Sequence, residues 1–353
     1  MSMKIPVTSS TIRRREMDAV LSCMVSEKIG PGELNLRLQQ QVKDSFGAAC
    51  CVALRSPAIA LEYALKALEL PQNTGVMISA LAPDWQYPVI KKAHYNPIIL
   101  DVSQDTALIT QEAVENGIKE GGRVVLLHET CGMLPDFEML NTFGLPVIED
   151  ASQSAGAYVA LHEDEKEDEQ KKAGTFGVFS IIGLEEQDIL MAGGGAVLMT
   201  SGKREGIVLK KLIDEAPVTD ILPDINCALG LVQLKERERN EQIRREMKMM
   251  YDQAVMQGKH KTFSSVNENI VQAVFSFPVV LTEGLKDVVS YAARKEIEVV
   301  PAFQNTIIAK YEEEIPLCIN AKSLLLRCVL FPLYPRLGMV QAEKIAKVLR
   351  TLP

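Results

Sequence analysis

One short segment joins an apolar run to a polar run without a break: Pro-Val-Ile-Glu-Asp-Ala-Ser-Gln-Ser-Ala-Gly, residues 146–156. The apolar run is short and typical of a buried strand. Carboxylate, hydroxyl and amide side chains follow at once, including Asp150 and Gln153. Open α/β sheets bind ligands at the carboxyl ends of their strands, so the segment predicts a central strand with a ligand-binding edge after it. A helix N-cap is an alternative role for Asp150.

Strand and helix patterns alternate on both sides of this segment. Apolar runs predict strands at residues 51–54, 76–80, 98–100, 124–127, 146–148, 176–182 and 196–200. Apolar residues at helical spacing predict helices at residues 11–28, 33–46, 57–70, 87–94 and 112–119. Such alternation predicts a mostly parallel sheet that helices cover on both faces.

The remainder of the chain predicts a smaller second unit. Residues 224–257 have the pattern of a long helical stretch, and a final helix is predicted at residues 340–349. Between them, strands are predicted at residues 271–280, 298–300 and 329–333. We therefore predict an α/β protein with a large domain at residues 1–240 and a smaller α+β domain at residues 241–353.

The composition argues against several classes of protein. The 353 residues carry a formal net charge of −8, which is unlike a nucleic-acid-binding protein. No apolar run is long enough to cross a membrane, and residues 1–10 lack the apolar core of a signal peptide. The seven cysteines lack metal-ligand spacing, so we expect no metal site among them. Their odd number and their mostly apolar surroundings indicate a reducing compartment, and we expect the cytoplasm. The acidic segment 162–172 is predicted to be a solvated loop, and a metal site is the alternative for it.

Three further blocks follow residues 146–156 in order. They are Gly-Thr-Phe-Gly-Val-Phe-Ser at 174–180, Ala-Gly-Gly-Gly-Ala-Val at 192–197 and Leu-Pro-Asp-Ile-Asn-Cys-Ala-Leu-Gly-Leu-Val-Gln-Leu at 222–234. With this ordered set, the chain resembles the DegT/DnrJ-type sugar aminotransferases, which depend on pyridoxal phosphate (PLP). The resemblance covers nearly the whole chain. It implies fold type I of the PLP enzymes, a homodimer and a nucleotide-sugar ligand.

The resemblance also implies roles for single residues. Asp150 would pair with the pyridine nitrogen of PLP or of pyridoxamine phosphate (PMP) and keep it protonated, so that the ring can accept electrons. Gln153 would lie beside the ring hydroxyl, Ser180 near the phosphate, and Ser56 in the phosphate cradle. Trp85 is a candidate to stack on the ring, and a core or interface position is its alternative.

The sequence departs from the family pattern at the position of the Schiff-base lysine. The family has this lysine a few residues after the serine that matches Ser180. Residues 181–191 contain no lysine, and Glu185 is nearest to the expected register. A transaminase needs that amine to hold the cofactor and to move a proton, and a carboxylate cannot form the covalent link.

Two phosphate-binding blocks of the family are also altered. Its Ser-Gly-Thr cradle reads Ser56-Pro57-Ala58, which removes a backbone donor and a hydroxyl. Its Asn-Tyr-Arg block reads Thr-Asp-Ile at residues 219–221, so an arginine is replaced by an apolar residue and a carboxylate is introduced. Several losses around one cofactor indicate a changed role.

Three functions follow as hypotheses. The first is a degenerate PLP site, unable to transaminate and retained for binding or regulation. The second is a PLP- or PMP-dependent dehydratase or aminotransferase for a nucleotide-linked keto-sugar, in which Glu185, Glu186 or Gln187 replaces the lysine. The third is an ordinary aminotransferase whose lysine is Lys172 or Lys203.

Overall fold

A computed structural model describes residues 4–161 and 169–353 of the chain. The strands are β1 Cys50–Leu54, β2 Gly75–Ser79, β3 Asn96–Leu100, β4 Gly122–His128, β5 Val147–Asp150, β6 Tyr158–Leu161, β7 Glu169–Lys172, β8 Phe179–Gly183, β9 Ala196–Thr200, β10 Ile270–Val271, β11 Phe277–Val280, β12 Val300–Pro301 and β13 Cys328–Phe331. The helices are α1 Arg14–Val25, α2 Glu33–Phe46, α3 Pro57–Ala67, α4 Gln86–Lys92, α5 Gln111–Lys119, α6 Phe137–Thr142, α7 Lys203–Asp214, α8 Asp224–Lys235, α9 Arg237–Val255, α10 Leu285–Arg294, α11 Ile307–Tyr311, α12 Ile319–Arg327 and α13 Met339–Leu349.

The large sheet has seven strands in the order β1-β9-β8-β5-β4-β2-β3. Neighbouring strands from β3 to β8 are parallel, whereas β9 is antiparallel to both of its neighbours. The predicted mostly parallel sheet is therefore confirmed. Because the parallel strands run in one direction, their carboxyl ends meet at one edge of the sheet.

Both faces of this sheet are apolar, as expected for strands that helices cover on both sides. In β1, Val52 and Leu54 pack into one core, while Cys51 and Ala53 pack into the other. The first core includes α3, where Pro57 occupies the first turn as predicted. The second core contains buried side chains of α2, α5 and α6.

A smaller antiparallel sheet, in the order β11-β13-β12, forms a third core with α9, α10 and α13. This unit corresponds to the predicted α+β part of the chain. The domain boundary expected after residue 240 falls inside α9, and it stays a prediction. Within the described ranges, no helix combines the length and hydropathy needed to cross a bilayer.

Three predicted elements were wrong in detail. The helical stretch 224–257 is two helices, which meet at Glu236 without a glycine or proline to mark the break. The strand predicted at 271–280 is two strands, because β10 pairs with β6 while β11 joins the smaller sheet. Residues 169–172 of the predicted acidic loop form β7, which pairs with β6 in a hairpin. Charged residues are common on exposed sheet edges, so charge alone did not distinguish strand from loop. Residues 162–168 of that loop lie outside the described residues.

Candidate ligand-binding site

A cavity of about 300 Å³ lies between the carboxyl ends of β4 and β5 and the smaller sheet. This volume is within the range of small-molecule sites. Its walls come from the N-terminal segment 7–11, from His128 and Gln153 after the central strands, from residues within 186–191, from Gln233 and Arg244 on α8 and α9, and from residues within 302–306 and 330–334.

Asp150, at the end of β5, is bonded by protein groups on both of its carboxylate oxygens. Gln86 Nε2 donates to Oδ2 at 2.7 Å, and His128 Nδ1 lies 2.9 Å from the same oxygen. Ser152 donates to Oδ1 from its hydroxyl at 2.5 Å and from its backbone N–H at 3.3 Å. Burial alone would raise the pKa of Asp150, but His128 and Ser152 outweigh it and hold that pKa below its ordinary value. Asp150 is only 1% exposed and does not line the cavity itself.

Ser180 bonds a neighbouring carboxylate, and its side chain does not reach the cavity. Its hydroxyl donates to Glu149 Oε1 at 3.2 Å, and the residue is buried. The same carboxylate accepts the backbone N–H groups of Gly174 at 2.8 Å, Phe176 at 2.6 Å and Gly177. Glu149 therefore ties the turn before β8 to the sheet, and Ser180 takes part in that network.

The segment after β8 turns sharply, which separates Glu185 from the cavity. Asp188 Oδ2 accepts the Glu185 N–H at 2.8 Å, and Glu185 O accepts the Asp188 N–H at 3.1 Å. Glu185 is exposed, and its Oε1 accepts the Gly195 N–H at 3.2 Å. Asp188 instead lines the cavity, and a Cβ on Gly183 would collide with its carboxylate. Glycine at the end of β8 thus lets this acidic group approach the strand end.

Asp188 has an unusual proton affinity. Burial, together with the charges of Asp150 and Glu185, raises the pKa of Asp188 to about 8. At neutral pH its carboxyl is therefore largely protonated and can donate a hydrogen bond or a proton. The cavity thus contains a carboxylic acid suited to acid–base chemistry.

At the start of α3, where the resemblance predicts the phosphate cradle, the polar side chains also bond other protein groups. Ser56 Oγ caps the helix by accepting the Ile59 N–H at 3.2 Å. The carboxylate of Asp220 accepts the Tyr63 hydroxyl at 2.8 Å, and its backbone oxygen accepts the Arg55 N–H at 2.8 Å. An acidic residue therefore lies next to the expected phosphate position, and neither Ser56 nor Asp220 lines the cavity.

Of the residues predicted to bind the cofactor, Gln153 lines the cavity, and of the predicted lysine replacements, Glu186 and Gln187 do. Gln153 Oε1 accepts the Cys131 N–H at 2.7 Å. Asp150 lies behind His128, which does line the cavity. Trp85, just before α4, is half-buried against the core on the α3 face of the sheet and does not line the cavity.

The described residues that line the cavity include no lysine. Lys172 Nζ donates to the backbone oxygen of Ser45 at 2.7 Å. Lys171 Nζ lies 4.6 Å from the centre of the Phe176 ring. Lys203 begins α7 and is not among the cavity residues.

A family model described as the DegT/DnrJ/EryC1/StrS aminotransferase family matches residues 10–350. The chain belongs to this family. The family resemblance predicted from the ordered blocks is therefore confirmed.

Solved structures of the aminotransferase family share the fold at low sequence identity. DesV from S. venezuelae, in complex with a ketimine intermediate, has a TM-score of 0.88 at 16% identity, covering 99% of this chain and 98% of that one. E coli GDP-4-keto-6-deoxy-D-mannose-3-dehydratase, with bound hydrated PLP, has a TM-score of 0.84 at 16% identity, covering 98% and 100%. The PMP form of Spr1654 from Streptococcus pneumoniae has a TM-score of 0.87 at 15% identity, covering 98% and 97%. The predicted fold-type-I architecture is confirmed by these neighbours.

Membership of the aminotransferase family makes PLP or PMP a plausible cofactor, and Spr1654 has been solved in both forms. Two of the residues expected to hold the cofactor are already bonded by protein groups. Asp150 has both oxygens bonded by protein donors, and Ser180 bonds Glu149. A ring nitrogen and a phosphate would each have to displace these contacts.

Asp188, Gln86 and His128 were not among the predicted site residues. His128 gave a usable signal, because it directly ends the apolar run of β4. Gln86 gave none, since its contact with Asp150 joins residues 64 positions apart. The family spacing, counted from Ser180, points to Glu185 and not to Asp188. Asp188 reaches the cavity through a turn in which its carboxylate accepts the Glu185 N–H, and the spacing does not predict that turn.

Proposed function

We propose that this member of the aminotransferase family does not transaminate and has kept its cavity as a binding site for a small ligand, in a binding or regulatory role. The altered residues at 56–58 and 219–221 support this proposal, since both lie where the family binds the phosphate. The protein-bonded carboxylate of Asp150 supports it as well.

One observation carries the proposal. The segment 181–191 contains no lysine, and where it meets the cavity it presents Glu186, Gln187 and Asp188. None of these side chains can form an imine with a carbonyl compound. Transamination by this family depends on such a link to an amine of the protein.

Borohydride trapping tests the proposal. The protein is mixed with PLP, reduced with borohydride and digested, and the modified lysines are mapped by mass spectrometry. We expect partial labelling spread over exposed lysines. Stoichiometric labelling of one lysine would contradict the proposal, and loss of that label in Lys172→Arg or Lys203→Arg would identify the lysine of an ordinary aminotransferase.

A second candidate function is favoured by Asp188. A half-buried carboxyl with a pKa of about 8 in the cavity suits a non-lysine acid or base in a PMP-dependent enzyme that acts on a nucleotide-linked keto-sugar. The fold of the E coli dehydratase is consistent with that class of reaction. Stabilisation of the protein by PMP, without trapping of PLP, would favour this candidate over the first.

We also propose a homodimer in the cytoplasm. Apolar side chains of α1, Met17, Leu21, Met24 and Val25, are each more than half exposed in the single chain. Exposed apolar patches of this kind mark interaction surfaces. The seven cysteines are all unpaired, which is consistent with a reducing compartment.

A further inference from the structure

Arg244, on α9, is a buried cation without a partner. The residue is 8% exposed and lines the cavity. Its Nε atom is buried and makes no hydrogen bond. Within residues 4–161 and 169–353, its guanidinium makes neither an ion pair nor a hydrogen bond. A buried charge is strongly unfavourable unless it is paired, so this arrangement indicates a missing anion.

Glu241, three residues before Arg244, is engaged through Oε1 by the adjacent arginine, while its Oε2 is buried and makes no hydrogen bond to the described residues. Glu241 Oε1 lies 2.8 Å from Arg245 Nη2 and accepts the Val274 N–H at 3.1 Å. Arg245 also donates to the backbone oxygen of Gln272 at 2.9 Å. Burial lowers the pKa of Arg244, and the charge of Glu241 only partly opposes that effect. Arg245 therefore holds the ion pair with Glu241, whereas Arg244 lines the cavity without an ion pair among the described residues.

A second polar atom of the wall has only a weak partner. Ser276 Oγ is buried, belongs to a residue that lines the same cavity, and lies beside the thiol of Cys131, which is a weak hydrogen-bonding group. A guanidinium presents its N–H groups in a planar fork that matches a carboxylate or a phosphate. A hydroxyl can add a further hydrogen bond to the same kind of group.

We propose that the cavity binds a small molecule through its anionic oxygen group, a carboxylate or a phosphate, with Arg244 as the counter-ion. The proposal rests on the proposed function, since it names the ligand class of the retained cavity. It requires neither PLP nor PMP.

Melting temperatures in matched salts test the proposal. Wild-type protein and Arg244→Met are compared in sodium phosphate, sodium acetate and sodium chloride of equal ionic strength, without any cofactor. We expect phosphate or acetate to stabilise the wild type beyond chloride. Arg244→Met should show an apparent affinity for that anion about tenfold or more lower. The anion that raises the melting temperature of the wild type shows whether the site prefers a phosphate group or a carboxylate. Phosphate salts also stabilise proteins in general, and the shift that they cause in Arg244→Met measures that general effect.

Arg245→Met is the matched control, because this neighbour has its partners within the protein. In chloride, we expect Arg244→Met to melt at or above the wild type, whereas Arg245→Met melts lower and keeps the response to the anion. The proposal is overturned if neither anion stabilises the wild type, if Arg244→Met keeps the response, or if it destabilises the protein as Arg245→Met does. A trapped lysine in the borohydride experiment would overturn the proposed function without altering any of these results.

Discussion

Glu149 and Asp150 are consecutive carboxylates at the end of β5, and they point to opposite sides of the strand. Glu149 holds the turn at residues 174–177, while Asp150 is held by Gln86 and His128. The sequence predicts that polar groups gather here, because the apolar run ends at Ile148. It cannot assign their partners, because those partners are distant in the chain.

Replacement of Glu149 by glutamine should be far more damaging than the same change at Glu129. Glu149→Gln turns an amide NH₂ toward backbone N–H groups that now donate to a carboxylate, so we expect a loss of about 2–4 kcal/mol in the free energy of unfolding. Glu129 is buried, and burial, together with Glu149, raises the pKa of Glu129 well above its ordinary value. Glutamine mimics that protonated acid, so Glu129→Gln should change the free energy by less than about 1 kcal/mol. Urea denaturation at neutral pH measures both, and equal losses would contradict this account.

Asp188 should make the stability of the protein depend on pH. The pKa of Asp188 is about 8 in the folded protein against an ordinary 3.8, so the folded state binds this proton more tightly. The resulting stabilisation is full below about pH 4 and is lost as the pH rises to about 8. Asp188→Asn stays neutral and keeps an acceptor for the Glu185 N–H. We therefore expect this variant to melt about 2–4 °C above the wild type at about pH 9.

Melting curves across this pH range check the effect. Asp188→Ala is the second variant, since it removes the titration and also the bond to Glu185. It should show the same flat pH dependence at a lower melting temperature. A wild-type slope that persists in both variants would show that another group titrates.

At the scale of elements, the spacing of apolar residues predicted where helices lie better than it predicted where one helix ends and the next begins. The helix at Glu33–Phe46 was predicted at its observed bounds, because its apolar residues keep helical spacing and Gly47 follows in a left-handed conformation. The break between α8 and α9 was missed, since Glu236 carries no sequence signal for it. The split of β10 from β11 depends on pairing with distant strands, which local pattern does not contain.

The exposed face of α1 should hold two copies of the chain together. Leu21→Glu places a charge in the middle of the stripe formed by Met17, Met24 and Val25, so we expect it to convert a dimer to a monomer. Val340→Glu is the control, because Val340 is also exposed but lies on α13. Light scattering after size-exclusion chromatography measures the mass. A monomeric wild type, or a dimer that survives Leu21→Glu, would contradict the proposed interface.

At the scale of the whole molecule, the alternating pattern predicted the parallel sheet, and the ordered blocks predicted the family. The strand order, with antiparallel β9 between β1 and β8, did not follow from the pattern, because order is set by long-range pairing. The candidate site was predicted only in part. Gln153 lines the cavity, whereas Glu185 is exposed and lies outside it. The turn that presents Asp188 in place of Glu185 is local, held by hydrogen bonds between these two residues, and counting along the sequence from Ser180 does not reveal it.

The proposed loss of transamination is a statement about the whole cavity, since several altered positions act on one cofactor. The visible spectrum of the protein with one equivalent of PLP tests it most directly, recorded before and after addition of an amino donor such as L-glutamate. We predict no stoichiometric band of lysine-linked PLP, and a response to the donor equal to that of the same concentration of PLP without the protein. A band of lysine-linked PLP that the donor removes would contradict the account.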